Sequence, residues 1–223
     1  MNNPKTETVR FVPRCPRRAG LALVVALAVT SFAWLAARAT GGGGATHLSW
    51  DLIHLTGNVI SAGGSDSAKA ADGSQITLTG SGTWASEGDE QGQAVTGGGT
   101  WQTFGTNGAS TGNGTYVVTG LVIFVNAGPN GVPTLIDNIG SYLDARGGLL
   151  VLRVRYSDGQ RGVLTVSCHG PANVPDTVFE GITATKGIVG YVDRGKPAAG
   201  VDGNRTVFHV LPQSESDDQD QQR

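Results

Sequence analysis

Between His47 and Leu211 the apolar positions recur every second residue in short runs broken by glycine-rich turns. That period belongs to strands whose two faces meet different surroundings. In His47–Leu55, Leu48, Trp50, Leu52 and His54 fall on one face. Leu149–Tyr156 and Gly162–His169 read as a hairpin across Ser157–Gln160, with Leu150, Leu152, Val154 and Tyr156 meeting Leu164, Val166 and Cys168. Leu121–Val125 is apolar on both faces, which predicts a central strand buried on both sides. Val178–Thr185, Ile188–Val192 and Thr206–Leu211 complete the run of strands.

Within this pattern one unit occurs three times, Thr-Gly-x-Gly-Thr-aromatic. It is found at Thr79–Trp84, Thr96–Trp101 and Thr111–Tyr116. On a strand each unit turns glycine, glycine and aromatic to one face and its threonines to the other. Bare glycine backbone lets a strand bend sharply and lets a ring lie flat against it. Turn residues at Glu87–Gly92 and Gly105–Ser110 join the units into an antiparallel meander. A second turn centred near residue 108 places Trp101 opposite or diagonal to Tyr116. The fold class predicted is all-β, an antiparallel meander closing into a β-barrel, with a β-sandwich as the alternative. One stretch departs from the strand pattern. In Asn126–Gly148, Leu135, Ile139, Tyr142 and Leu143 recur at helical spacing, so a short helix is expected within 133–145.

The chain ends read differently. Residues 1–20 are basic, Leu21–Ala37 is uncharged, and Ala37-Arg38-Ala39 has the small residues of a signal-peptidase site. Residues 1–39 therefore read as a secretory signal peptide. The alternative is an uncleaved anchor through 21–37 with the rest outside. Either reading places residues 46–212 outside the cytoplasm as a single all-β domain. Residues 213–223 carry Glu215, Asp217, Asp218 and Asp220 with almost nothing apolar, and are expected to be a disordered acidic tail.

The leader changes the charge and the cysteine count. It holds 6 of the 16 Lys and Arg and 1 of the 18 acids, so 10 bases and 17 acids remain, a net −7. An acidic chain argues against a nucleic-acid partner. Arg153, Arg155 and Arg161 form the one local basic cluster and are expected on an exposed sheet face. Cys15 lies in the leader, so Cys168 has no partner for a disulfide and is expected as a buried structural thiol. The 35 glycines show no collagen period.

The repeats resemble, in style, the short Gly-Thr-aromatic strands of allene oxide cyclase-like and dirigent-like barrels over residues 74–126. That resemblance implies a barrel that takes an apolar ligand into its lumen and assigns no residue here; the inward aromatics of the repeats, Trp84, Trp101 and Tyr116, are the candidates to line such a lumen. Asp137–Gly140, Val166–His169, Phe179–Ala184 and Gly203–His209 are similar to an uncharacterised family of secreted bacterial glycine-rich all-β proteins, which implies no activity.

Candidate chemistry is sparse. No metal or phosphate motif occurs, and no metal or other cofactor is expected. Cys168 and His169 are strand neighbours and point to opposite faces, so they cannot act as nucleophile and base together. His54, Glu180 and His209 are polar residues on otherwise apolar faces and are the weak catalytic candidates. Asp137 and Asp144 lie on the irregular segment, where loops carry function. The function expected is that of an exported, non-catalytic β-barrel binding a small apolar ligand or serving a structural role in the envelope. The alternative is an isomerase, cyclase or hydrolase working in the lumen.

Overall fold

The computed structural model describes residues 46–85, 95–170, 174–175, 177–195 and 203–212. The expected leader, the acidic tail and the first repeat turn at 87–92 lie outside these residues. Among the described residues there are thirteen strands: β1 His47–Thr56, β2 Val59–Ala62, β3 Ser65–Ala70, β4 Gln75–Thr79, β5 Ser81–Ala85, β6 Gly98–Phe104, β7 Ser110–Pro129, β8 Ile136–Asp137, β9 Ala145–Tyr156, β10 Arg161–Cys168, β11 Gly181–Lys186, β12 Val189–Arg194 and β13 Thr206–Val210. The described part of the chain is all-β.

The strands form one large sheet in the order β10-β11-β12-β3-β4-β6-β7-β9-β13-β1-β2-β8. Because β9 also pairs with β10, the first eight strands of that order close into a ring of hydrogen bonds. A second path links β9 to β6 through β13, β1 and β5. Tight hairpins account for most connections. The turn between β9 and β10 uses Gly159 at φ 88° and that between β3 and β4 uses Gly73 at φ 87°, where a side chain would be strained.

The repeats do what their spacing requires. Trp101 lies opposite Gly114 and Tyr116 opposite Gly99, so Trp101 and Tyr116 are diagonal neighbours on one face. Both rings meet Tyr156, at 6.0 and 6.2 Å between centroids. A Cβ on Gly114 would come within 2.9 Å of the Trp101 indole nitrogen, and one on Gly82 within 2.7 Å of that of Trp50. The glycines thus supply the space that the rings fill. On the opposite face the threonines pair across strands, Thr79 with Thr100 and Thr83 with Thr96, hydroxyl to hydroxyl at 2.7 and 2.8 Å.

Strands of the ring and of the second path together enclose the main core, with Trp50, Trp84, Tyr156, Phe208 and several Leu, Ile and Val side chains fully buried. Each such side chain contributes about 1.5–3 kcal/mol on removal from water. Trp84, Phe124 and Phe208 meet edge to face at 4.8–5.7 Å. The β9–β10 hairpin has the expected register, Leu152 opposite Leu164 and Leu150 opposite Val166.

Three sequence expectations are corrected. No helix occurs in the described residues, and the 133–145 segment is turns around β8. There the N–H groups of Ile136 and Asn138 bond the carbonyls of Asn58 and Ile60, which holds the chain extended beside β2. Asp137 accepts the N–H groups of Ile139 and Gly140, a local bond that competes with a helix. Leu143, one of the four helical-spacing residues, is 69% exposed. The 121–125 run is not buried on both sides: Val122, Ile123 and Val125 are exposed on the outer face. Irregularities between Val118 and Gly120 and between Leu121 and Ile123 shift the alternation, so Leu121 and Phe124 both pack on the core. The strand expected from Val178 begins only at Gly181.

Candidate functional site

The outer face of the β1–β13 pair is unlike the inner one. Leu48, Trp50, Leu52 and Phe208 face the core, whereas Asp51 lies opposite Val207 and Ser49 opposite His209. Ile53 and Val207 join Ile60 and Ala145 in a second apolar cluster, against which Leu135 and Ile139 of the irregular segment pack. That segment covers the face incompletely. A cavity of about 80 Å³ remains, with walls of Ile53, Leu55, Ile60, Val132, Leu135, Tyr142, Ala145 and Val207. Its polar lining is Asn130, Asp137, Cys168, Gly170, Glu180, Arg205 and Thr206.

Glu180 anchors this polar end. One carboxylate oxygen accepts the N–H groups of His169 at 2.8 Å and Gly170 at 3.4 Å, and the other that of Thr206 at 2.8 Å. The residue is half-buried but its carboxylate is enclosed, and burial raises its pKa in spite of the bonds from these three N–H groups. Asp66, fully buried, accepts the Arg205 N–H at 2.9 Å. Burial pushes its pKa well above the ordinary value, and the nearby charge of Glu180 adds to the effect. Cys168 accepts from the Asn130 amide at 3.0 Å and donates to the Thr206 carbonyl at 3.3 Å. Burial raises its thiol well above the usual range, so it is a packed, inert thiol.

Two polar atoms of this lining are buried without a partner, the Asn130 Oδ1 and the Arg205 Nε. Turning the Asn130 amide over would exchange its bare oxygen for a bare nitrogen. Such atoms cost about 1–3 kcal/mol each unless something in the cavity bonds them.

Beside the cavity stands a carboxylate–imidazole contact. His209 Nε2 is 2.8 Å from Asp137 Oδ2, and both side chains are at most 5% exposed. The imidazole lies over Gly140, where a Cβ would come within 2.8 Å of it. Burial favours a raised pKa for Asp137, but the N–H groups of Ile139 and Gly140 and the His209 ring outweigh it and hold the carboxyl low. Asp51 has no such bonds. Burial raises it to about 6, with His209 opposing and Asp137 reinforcing the shift. The His209 Nδ1 is buried and without a partner.

The sequence candidates are thereby dispersed. Glu180 and Asp137 line the cavity, and His209 bears on it through Asp137. His54 sits half-buried in the β1–β2 hairpin opposite Ser61 and is not in the lining. Asp144 is exposed, and its carbonyl accepts the Val210 N–H. Trp84, Trp101 and Tyr116 belong to the packed core; the Trp101 indole N–H donates to the Thr115 carbonyl and the Tyr116 hydroxyl to that of Thr79. Asn130, Arg205, Asp51 and Asp66 escaped sequence reasoning. Asp51 and Asp66 carried a signal, being acids in strand-like runs. Asn130 carried none. Among the described residues no group of three His, Cys, Asp or Glu side chains is arranged to hold a metal ion. Comparison with protein families, curated proteins and solved structures finds no match.

Proposed function

We propose that this chain is an exported β-barrel protein that binds a small amphiphilic ligand without transforming it, in the cavity flanking β1 and β13. The observation that carries the reading is the pairing of an apolar wall with two unpartnered polar atoms, Asn130 Oδ1 and Arg205 Nε. A ligand head that both donates and accepts, such as a hydroxyl or carboxamide, satisfies both, while a short aliphatic part lies on Val132, Leu135 and Val207. The volume is about half the roughly 150 Å³ that takes a benzene ring, which limits the enclosed part to a few heavy atoms. The ring of strands supports the barrel reading, and its core of aromatic side chains favours the flank over the lumen as the binding place.

Native mass spectrometry of the protein released by its own host tests this directly. A retained small molecule, lost in Val207→Phe while the fold stays intact, is the expected result. A ligand-free protein whose melting temperature is unmoved by short-chain alcohols, amides and acids overturns the reading.

A second reading, acid–base chemistry, is favoured by the Asp137–His209 contact together with Asp51 at a pKa of about 6. It requires a turnover that His209→Gln abolishes without loss of ligand binding.

A further inference from the structure

The outer face of β7, β9 and β10 differs from the rest of this acidic protein. β7 has no charged residue in its whole length, and the β9–β10 hairpin has one acid, Asp158, against four arginines. Asp158 is already engaged by Lys186. Arg155 lies directly opposite Arg161, Arg153 opposite Val163, and all three arginines are exposed. Among the described residues none of their guanidinium groups has a carboxylate partner. Like charges placed directly opposite on a sheet are destabilising, so an anion between Arg155 and Arg161 would relieve the pair. The arginines, Thr119 and Val163 line a shallow groove of about 480 Å³.

Aliphatic side chains share this outer face: Val117 lies opposite Arg155, and Ile123 and Val125 lie opposite Val151 and Leu149, further along β9. Val117, Ile123 and Val125 are 44, 50 and 51% exposed on β7, and Val163 is 36% exposed. A hydrophilic polyanion has no use for them. A second copy meeting the same face would set arginine against arginine. An anionic phospholipid surface matches both features, since its phosphates pair with guanidinium groups and its acyl boundary accepts Val and Ile. The rest of the protein's negative charge, beyond about 8 Å, is screened at physiological salt. We propose that this face docks the domain onto an anionic lipid bilayer, through Arg153, Arg155 and Arg161 at the headgroups and Val117, Ile123 and Val125 at the acyl boundary.

The test places an environment-sensitive dye on Ile123→Cys in the full chain carrying Cys15→Ser, with Cys168 left buried. Vesicles of phosphatidylcholine alone are compared with vesicles containing phosphatidylglycerol. The dye should shift to the blue only on the anionic vesicles, and binding should weaken about fivefold for each arginine replaced by glutamine. The triple charge reversal Arg153→Glu, Arg155→Glu, Arg161→Glu should remove the difference between the two lipids. Because all variants keep residues 1–39, any binding through that segment is common to them and does not move the dye at 123. Near-ultraviolet circular dichroism checks that each variant keeps its fold, and the glutamine series serves if the reversal does not. An unchanged dye signal on anionic vesicles, equal signals on both lipids, or a shift without lipid that tracks self-association in the ultracentrifuge would overturn the proposal.

Discussion

The two faces of the β1–β13 pair are built from alternate residues of the same strands, yet they do opposite things. The inner face, Leu48, Trp50, Leu52 and Phe208, packs into the main apolar cluster, and the one buried polar side-chain atom among these four residues, the Trp50 indole nitrogen, has no hydrogen-bond partner. The outer face carries Ser49, Asp51, Ile53, Val207 and His209 under a segment that is mostly turns around the two-residue β8. A strand covered by strands is packed by symmetry of the sheet. A strand covered by turns retains space, and polar groups can be stranded in it. Stability should therefore reside on the inner face and chemistry on the outer one.

The largest separation of the two faces should come from Trp84→Ala. Its ring is fully buried between Phe124 and Phe208, and urea unfolding should register a loss of about 3–5 kcal/mol. A loss under 1 kcal/mol would mean that the inner face is not a close-packed core. Next is His209→Ala on the outer face. It removes the one side-chain partner of a buried carboxylate that keeps two backbone bonds, so about 1.5–3 kcal/mol should be lost. An equal loss in both variants would erase the contrast between the faces.

Asp51→Asn sharpens the comparison through pH. The folded pKa of Asp51, about 6, lies above the ordinary 3.8, so folding favours the protonated form. Its stability contribution is intact below about pH 3.8 and is lost as pH rises to about 6. The asparagine variant should match the parent near pH 4 and exceed it by about 1–2 kcal/mol at pH 8, less than the full shift implies because its neighbours also titrate. A variant that is less stable than the parent at pH 8 would contradict a desolvated Asp51. The smallest effect should be that of Leu143→Ser. This residue of the covering segment is exposed, and the unfolding free energy from urea denaturation should change by no more than about 0.5 kcal/mol.

Much of the fold could be read from the sequence because strand period and turn chemistry are local. The repeat glycines, the β9–β10 register and the diagonal placing of Trp101 and Tyr116 all follow from which residues share a face. The covering segment could not be read in the same way. Leu135, Ile139 and Tyr142 have helical spacing, but their conformation is set by β2, some 75 residues earlier in the chain, and by Asp137 bonding its own backbone. The same limit applied to the candidate site. Glu180 and Asp137 stood out as polar residues, whereas Arg205 and Asn130 acquire meaning only from what surrounds them.

The sequence alone determined the strand class, the inward aromatics over bare glycine, the outward face of the repeat threonines and the isolation of Cys168 in 46–212. Each depends on spacing of two along one strand or on a count. Only the tertiary structure decided that the strands close into a hydrogen-bonded ring, that the outer side of β7 stays exposed, and that Asp137 meets His209 across 72 positions of chain. These depend on which distant backbone groups satisfy one another, and no local period encodes that choice.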